Sequence, residues 1–367
     1  MKVQDTDERA PGDSPRRGPA RMKWIPGGTT LMGSEDFYPE ERPVHRVSVD
    51  GFWIDAHPVT VADFRRFVRE SGYVTVAERP LDADQYPDVD PDLLVPGSLV
   101  FRKSAGPITL DDFRNWWEFR PGTCWKRPGG LGTTANGLDR HPVVHVAQED
   151  VETYAAWAGK QLPTEAEWEF AARGGLEGAA FAWGDEHLLN GRPMANTWQG
   201  QFPWQNLGLD GFEGTSPVGT FPPNGFGLFD MTGNVWEWTS DWFAARHPDE
   251  VDSPCCVPKN PRVTTPDGSY DVGAPGEQFP RRVVKGGSHL CAPNYCLRYR
   301  PSARQAQAID TSMAHLGFRC VVRPSGSGAG SLADIEIRDS TQGGCNESER
   351  TEDAQHRVRP LRQRRLG

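Results

Sequence analysis

The sequence predicts a single irregular α+β domain with little regular secondary structure. Its length of 367 residues allows one large domain or two modest ones. The 40 Gly and 32 Pro residues are far above the usual share and predict many turns between short elements. Thirteen Trp residues supply the large side chains that can fill an irregular core. Polar and charged composition predicts disordered segments over 1–22 and 324–367, with the folded domain over 23–323.

Short strands are expected before the first helix. Apolar residues at 24–25 and 31–32 flank two glycines, a pattern typical of two strands separated by a turn. Valines at 44, 47 and 49, followed by the apolar residues 52–54, predict another strand pair.

Three helices are predicted from capping signals and apolar periodicity. Thr60 heads a capping-box pattern, and apolar residues then recur on one helical face within 60–72. A second amphipathic pattern covers 151–159 and ends at a glycine. In the run L-P-T-E-A-E-W-E, Thr164 is placed to cap a third helix, which closes at a Gly-Gly pair within 164–175.

Residues 78–120 form an insertion rich in Asp and Pro. They lack the spacing and the glycine of an EF-hand calcium loop, so a solvated loop is the favoured interpretation. Trp116, Trp117 and Trp125 are expected to pack its end onto the domain.

His141 and His145 lie four residues apart, a spacing that on a helix would face one metal ion. Pro142 and the two valines between them favour a strand instead. The two rings are therefore expected to be buried or hydrogen-bonded rather than metal ligands.

The stretch 196–238 has little helix or strand periodicity and many turn residues. Loops of this length in a compact domain need support, which hard cations can give by collecting oxygen atoms. Asn and Asp can equally form Asx turns, and from the residues alone the turns are preferred. A surface loop is expected over 245–280, and core strands over 282–284 and 317–322.

Two thiols, Cys291 and Cys296, lie five positions apart with Pro293 and Asn294 between them. On a helix they would diverge by roughly 140°, and on a strand they would face opposite sides. A shared role therefore needs a bent backbone, which the two turn residues favour. Ser288 adds a hydroxyl just before the first thiol. Two unrelated buried cysteines, or one structural disulfide, remain the alternative from spacing alone.

The segment around the thiols, G-G-S-x-x-C-x-x-x-Y-C-x-R-Y-R followed by L-G-F-R-C, resembles the signature of formylglycine-generating enzymes (the sulfatase-modifying factor family). The resemblance covers about 24–323, and the L-P-T-E-A-E-W-E run belongs to the wider superfamily. It implies one domain of the complex C-type-lectin-like fold that these enzymes share. It also implies a copper(I) ion held by the thiolates of Cys291 and Cys296, in line with the preference of soft sulfur ligands for Cu(I).

The activity that this resemblance implies is oxidation, with O₂, of a cysteine in an unfolded sulfatase polypeptide carrying Cys-x-Pro-x-Arg, to formylglycine. Ser288 and Tyr295 are expected to hydrogen-bond oxygen species or the metal-bound sulfur. Trp236 either shapes the pocket wall or is a buried structural residue.

The resemblance further implies two structural calcium (Ca²⁺) sites in the loop-rich stretch. Residues matching the first site are Asn196 and Asp210 by side chain, with Thr197 and Phe212 by carbonyl. Those matching the second are Asp230 by side chain, with Met231, Gly233 and Val235 by carbonyl.

Three other functions are compatible with parts of the motifs and the paired thiols. Many proteins of the fold bind without catalysis, but they lack the paired thiols. An iron-dependent sulfoxide synthase would need an N-terminal helical bundle with metal histidines, which is not expected before residue 24. A thiol redox protein using Cys291 and Cys296 would lack the usual C-x-x-C motif and should not need copper.

Charge, hydropathy and cysteine count indicate the compartment and the partners that the protein is expected to have. The net charge of −10 argues against nucleic acid as the main partner. No apolar run reaches the roughly 18 residues of a membrane span, and no signal-peptide core appears near the start. The odd count of seven cysteines does not suggest a disulfide framework. We therefore expect a cytoplasmic monomer without membrane contact, in which the vicinal Cys255 and Cys256 lie in a loop.

Overall fold

The computed structural model describes residues 18–87, 90–91, 94–247, 257–271 and 279–324. These residues belong to one compact unit, Met1–Ser327, and the second unit, Gly328–Gly367, lies outside the described residues. The described residues also exclude the outer parts of the two predicted terminal segments and three thiols, those of Cys255, Cys256 and Cys345.

Regular structure in the described residues is limited to short elements, as predicted. The helices are α1 (Val61–Ser71), α2 (Gln148–Trp157) and α3 (Glu165–Arg173). The strands are β1 (Met22–Ile25), β2 (Gly28–Met32), β3 (His45–Val49), β4 (Phe52–Asp55), β5 (Gly97–Phe101), β6 (Trp117–Pro121), β7 (Trp236–Trp242), β8 (Arg281–Lys285), β9 (Arg304–Ala308), β10 (Leu316–Gly317) and β11 (Val321–Val322). None of the helices in this part of the chain is long and apolar enough to cross a membrane.

The strands form four small sheets with the orders β1-β4-β11, β10-β7-β8-β9, β2-β3 and β5-β6. The predicted strands at 44–49 and 52–54 exist, but the expectation that they pair with each other is wrong. β3 pairs with β2, whereas β4 lies between β1 and β11. The predicted core strand over 317–322 is likewise divided, because β10 runs parallel to β7 and β11 runs antiparallel to β4.

The helix ends carry the caps that the sequence predicts. Thr60 Oγ1 accepts the Asp63 N–H at 3.2 Å. Thr164 Oγ1 accepts the Glu167 N–H at 3.0 Å, and the Glu167 carboxylate accepts the Thr164 N–H at 2.8 Å. The residue after α3, Gly174, has a φ of 58°, the left-handed conformation that ends helices.

The interpretation of 78–120 as a solvated loop is wrong for its second half. β5 and β6 pair across it from Gly97↔Pro121 to Phe101↔Trp117. The hairpin is stabilised by burial, since Val100 and Trp116 are only 6% and 1% exposed. The predicted packing of the tryptophans is confirmed, because Trp125 is buried as well.

The strand expected around His141 and His145 does not form, and only an isolated bridge between Thr60 and Pro142 is present. Both rings are nevertheless hydrogen-bonded, as predicted. His145 contacts Ser98 Oγ at 2.8 Å through Nδ1, and His141 contacts Thr215 Oγ1 at 2.9 Å. His145 has a φ of 61°, so the chain turns sharply where a strand would continue.

A buried polar cluster joins α3 to strands β7 and β8 and to the segment after β10. Glu237 in β7 accepts hydrogen bonds at 2.7 Å from Trp168 Nε1 in α3 and from Arg319 Nε after β10. At the end of β8, Lys285 Nζ donates to Glu169 at 2.9 Å. These charged side chains are buried and paired, so removing any one partner would leave an uncompensated charge. β8 is therefore held rigidly where it enters the thiol segment.

Candidate functional site

The two thiols meet in a turn. Cys291 Sγ and Cys296 Sγ are 3.2 Å apart, both residues are buried, and both are free thiols. The turn between them is closed by the Tyr295 and Cys296 N–H groups, which donate to the Ala292 carbonyl at 3.0 and 2.8 Å. The predicted bent backbone is confirmed, and it brings the sulfur atoms close enough to bind one ion.

Two glycines make the approach to this turn possible. Gly286 and Gly287 have φ values of 93° and 67°. A Cβ on Gly286 would lie 2.7 Å from the Met231 carbonyl, and one on Gly287 would lie 2.7 Å from the Arg298 carbonyl. Any side chain at these positions would strain the backbone and push the thiol turn away from its neighbours.

The two sulfur atoms have different electrostatic surroundings. Burial and the neighbouring sulfur raise the pKa of Cys291 well above its ordinary value. The hydrogen bond from Cys291, and then the Arg298 guanidinium 3.9 Å away, lower the pKa of Cys296 to about 7. Of the two thiols, Cys296 therefore ionises more readily, and the proton is retained on Cys291.

Arg298 is held in place from two sides. Its guanidinium donates to Glu40 at 2.6 Å and lies over the Tyr38 ring at 3.8 Å. Tyr38 Oη in turn accepts the Leu297 N–H at 3.0 Å. A segment more than 250 residues away in sequence therefore fixes the cation beside the thiolate.

Ser288 lies between the thiols and a histidine. Its N–H donates to Cys291 Sγ at 3.4 Å, and its Oγ accepts the Leu290 N–H at 3.2 Å. The same Oγ lies 3.0 Å from His315 Nδ1. Burial, followed by the neighbouring charges of other histidines, lowers the pKa of His315 to about 3, so the ring is neutral at ordinary pH. His315 was missed in the sequence, where a single histidine before L-G-F-R-C carries no spacing signal.

Aromatic side chains surround the exposed side of the turn. Tyr295 is 38% exposed and stacks on Phe202 with ring centroids 4.4 Å apart. Trp116 meets the Tyr295 ring edge-on at 5.2 Å. Trp236 is 2% exposed and belongs to the same buried apolar cluster as both cysteines. It therefore supports the thiols from within the core.

The residues predicted for the first calcium site lie together. Asp210 accepts the Phe212 N–H at 3.0 Å and the Thr197 N–H at 3.4 Å. The neighbouring Asn196 donates its amide to the Gly214 carbonyl at 2.9 Å. Burial raises the pKa of Asp210, and no ion pair to it is found within the described ranges. This half-buried carboxylate is thus surrounded by main-chain groups, as in an Asx turn.

The residues predicted for the second site form one tight loop, 230–235. Asp230, with a φ of 54°, accepts the Gly219 N–H at 2.7 Å, and burial raises its pKa. The loop lies against the first site, since a Cβ on Gly233 would be 2.5 Å from the Asn196 carbonyl. Among the described side chains, no cluster of three His, Cys, Asp or Glu could hold a metal, so each site would depend on carbonyl oxygens.

Both loops are hydrogen-bonded to the thiol segment. The Trp198 N–H donates to the Cys291 carbonyl at 3.0 Å, directly after the first predicted site. From the second, the Gly233 N–H donates to the Gly286 carbonyl at 2.9 Å. Ordering these loops therefore orders the turn that carries the sulfur atoms.

Residues 7–324 match the family model described as the sulfatase-modifying factor enzyme 1-like domain. The formylglycine-generating enzyme of Mycobacterium tuberculosis is 52% identical over 303 residues, which cover 82% of this chain and 97% of that protein. The Bos taurus formylglycine-generating enzyme is 40% identical over 86% of this chain and 78% of its own length. The Bos taurus inactive C-alpha-formylglycine-generating enzyme 2 is 36% identical over 84% of this chain and 88% of its own.

Among solved structures, PvdO from Pseudomonas aeruginosa aligns with a TM-score of 0.55 and 23% identity. The alignment covers 82% of this chain and 93% of PvdO. This likeness supports the fold, and at such identity it says nothing about the chemistry.

Proposed function

Because the chain belongs to the sulfatase-modifying factor family, which includes formylglycine-generating enzymes, we propose that it converts a cysteine of sulfatase polypeptides to formylglycine. The observation that carries the proposal is the pair of free sulfur atoms 3.2 Å apart in a glycine-dependent turn. Family membership alone is not enough, since an inactive relative is 36% identical to this chain.

A copper(I) ion fits the donor atoms at this turn, and we propose that Cys291 and Cys296 hold it. Two converging soft thiolates suit the low coordination number of Cu(I). Cys296 ionises more readily than Cys291, and a bound metal would favour the thiolate form of both. Arg298, held by Glu40, offsets part of the negative charge that the sulfur ligands bring together. When bound, Cu(I) supplies the one-electron chemistry that couples O₂ to oxidation of the substrate.

The atoms and electrons of the proposed reaction balance with one added reductant. The substrate CH₂–SH group loses two hydrogens to become a thioaldehyde, and water then replaces sulfur to leave the aldehyde and sulfide. This oxidation supplies two of the four electrons that reduce O₂ to water. A thiol reductant supplies the other two.

The protein side chains position the reaction and exclude water. Ser288 Oγ already accepts the Leu290 N–H, so when His315 Nδ1–H also donates to it, the hydroxyl proton is left free to donate to a group bound at the site. The other tautomer of His315 would accept that proton and turn it away. We therefore assign His315 as a positioning residue for the Ser288 hydroxyl.

The exposed aromatic surface supports a peptide-binding role. Tyr295, a residue of the thiol turn, stacks on Phe202 and is partly exposed to solvent. Aromatic rings offer large contact areas to apolar and proline side chains of an extended peptide. The proposed substrate is thus an unfolded sulfatase segment that carries Cys-x-Pro-x-Arg.

We propose that calcium orders the two loops behind the turn. The donors would be the side chains of Asn196, Asp210 and Asp230 with the carbonyl oxygens of Thr197, Phe212, Met231, Gly233 and Val235, and such oxygen sets suit Ca²⁺. The role is structural, because these loops donate hydrogen bonds to the main chain at Gly286 and Cys291.

A defined incubation tests the proposal. The protein, Cu(I), O₂, a thiol reductant and a Cys-x-Pro-x-Arg peptide are combined, and the peptide mass is followed. We expect conversion in the wild type and its loss in both Cys291→Ala and Cys296→Ala. Cys124→Ala is the matched control, because Cys124 is a buried free thiol elsewhere in the fold.

Three results would count against the assignment. Turnover that survives loss of either sulfur would refute the copper site. Absence of conversion in copper-loaded wild type would instead favour a non-catalytic member of the family. Thiol oxidation that proceeds without copper would favour a redox protein.

A further inference from the structure

We propose that a cavity beside the thiol turn is a subsite for an apolar side chain of the sulfatase polypeptide, outside the Cys-x-Pro-x-Arg core. This inference rests on the proposed function and names a further part of the substrate. The cavity has a volume of about 440 Å³, enough for a large side chain.

The cavity borders the thiol turn. Pro293 and Asn294, the two residues at the tip of the turn between the cysteines, form part of its wall. Tyr299, just after the turn, and Trp198, whose N–H binds the Cys291 carbonyl, also line it. A chain whose cysteine reaches the sulfur pair therefore passes this opening within a few residues, since an extended chain advances about 3.3 Å per residue.

The lining of the cavity disfavours a charged side chain in the ligand. It contains no Asp, Glu, Lys or Arg among the described residues that form it. The one titratable imidazole, His187, shares a hydrogen bond with Tyr299 Oη at 3.0 Å, and burial lowers its pKa, so the ring stays neutral. A charged side chain would lose its hydration here without finding a partner.

The rim is apolar and exposed. Leu188 and Leu209 line the cavity and are 42% and 73% exposed, and the neighbouring Leu189 and Leu207 are 41% and 54% exposed. Two exposed leucines in the lining give the opening an apolar rim of the kind that marks a binding site.

Trp198 Nε1 and Gln199 Nε2 have no hydrogen-bond partner in the described part of the chain, but both atoms are shielded from solvent and so cannot serve a ligand in the opening. The opening offers a ligand mainly apolar side chains and a few neutral polar ones. The chemistry of the opening thus fits an unfolded chain with an apolar side chain better than a small charged ligand.

A peptide scan tests this subsite by binding alone. Non-reactive peptides with Ser in place of the reactive Cys carry Leu or Asp at each flanking position in turn, and their affinity is measured by fluorescence anisotropy. We expect one position at which wild type prefers Leu over Asp by at least about tenfold. In Leu188→Asp and Leu209→Asp that preference should fall to about twofold or less. Leu176→Asp is the matched control, since Leu176 is 41% exposed and does not line the cavity.

The outcomes separate this inference from the proposed function. Equal affinity for Leu and Asp at every flanking position would overturn the subsite, as would a preference that persists in both rim variants. A preference that disappears in the rim variants but not in Leu176→Asp supports the subsite, even if no reactive peptide is converted. Lack of conversion would count against the enzyme proposal alone.

Discussion

Replacing His315 by Phe should slow the reaction without abolishing it. The substitution removes Nδ1, which lies 3.0 Å from Ser288 Oγ, and it keeps a ring against Trp117, whose centroid is 4.7 Å from that of His315. Ser288 Oγ remains bonded to the Leu290 N–H at 3.2 Å. The hydroxyl therefore loses one of its two restraints and can leave its wild-type orientation.

The expected magnitude follows from one lost hydrogen bond. A neutral hydrogen bond contributes about 0.5–1.5 kcal/mol net. Since about 1.4 kcal/mol corresponds to a tenfold change, kcat should fall by roughly 2- to 12-fold. KM for the peptide should change less than kcat, because the nitrogen acts on Ser288. His315→Asn should restore most of the rate, because its side-chain amide can again reach Oγ.

Steady-state conversion of the peptide, followed by mass spectrometry, gives both constants for each variant. The decisive comparison is a double-mutant cycle with Ser288→Ala. If His315 acts through Ser288, then His315→Phe should have no further effect once the hydroxyl is gone. The ratio of wild-type to variant kcat should also be independent of pH near neutrality, because the ring is neutral with a pKa of about 3.

Two findings would contradict this reasoning. Rate losses that multiply in the double variant would mean that His315 acts independently of Ser288. A His315→Phe enzyme as fast as wild type would mean that the second restraint on the hydroxyl is unimportant.

Three further predictions concern stability. Arg300→Met should lower the free energy of unfolding by about 3–5 kcal/mol in denaturant titrations, because it leaves the Glu41 carboxylate fully buried without its cation. A double variant with Glu41→Met should recover much of that loss. An unchanged unfolding midpoint in Arg300→Met would contradict the prediction. Burial alone would raise the pKa of Glu169, but the charge of Lys285 holds it well below its ordinary value of 4.5. The ionised Glu169 carboxylate therefore contributes its full stabilisation above pH 4.5, and this contribution is lost as the pH falls through the lower pKa of the folded state. Tm should consequently decline on acidification less steeply in Lys285→Met than in wild type. A strong chelator should lower the Tm of the wild type. The loss corresponds to about 2.7 kcal/mol per site if free calcium is at 100 times its Kd. The loss should be smaller in Asp210→Ala, and an unchanged Tm in the wild type would argue against calcium.

Several features of this protein were predictable because they depend on residues close in sequence. The helix caps at Thr60 and Thr164 use donors three residues away, so local pattern identified them. The need for a bent backbone between Cys291 and Cys296 followed from the spacing alone, because neither a helix nor a strand brings such residues together. The family resemblance, and with it the fold, was also present in the sequence.

Strand pairing was less predictable, since partners are chosen by long-range contacts. β4 pairs with β1 and with β11, which is more than 260 residues later, and not with the adjacent β3. The β5–β6 hairpin was missed because its burial is provided by other parts of the core, and an Asp- and Pro-rich composition hides it.

The sequence by itself determined the fold family, the capped starts of α1 and α3, and the two thiols as the candidate centre, whereas α2 begins three residues before the predicted range. Only the tertiary structure decided which sulfur ionises more readily, because the pKa of Cys296 is lowered first by its hydrogen bond with Cys291 and then by Arg298, which Glu40 and Tyr38 hold in place from a distant part of the chain. The partnership of His315 with Ser288 has the same origin. Electrostatic and hydrogen-bond effects depend on distances in space, and local spacing in sequence does not encode distances between segments that meet only after folding.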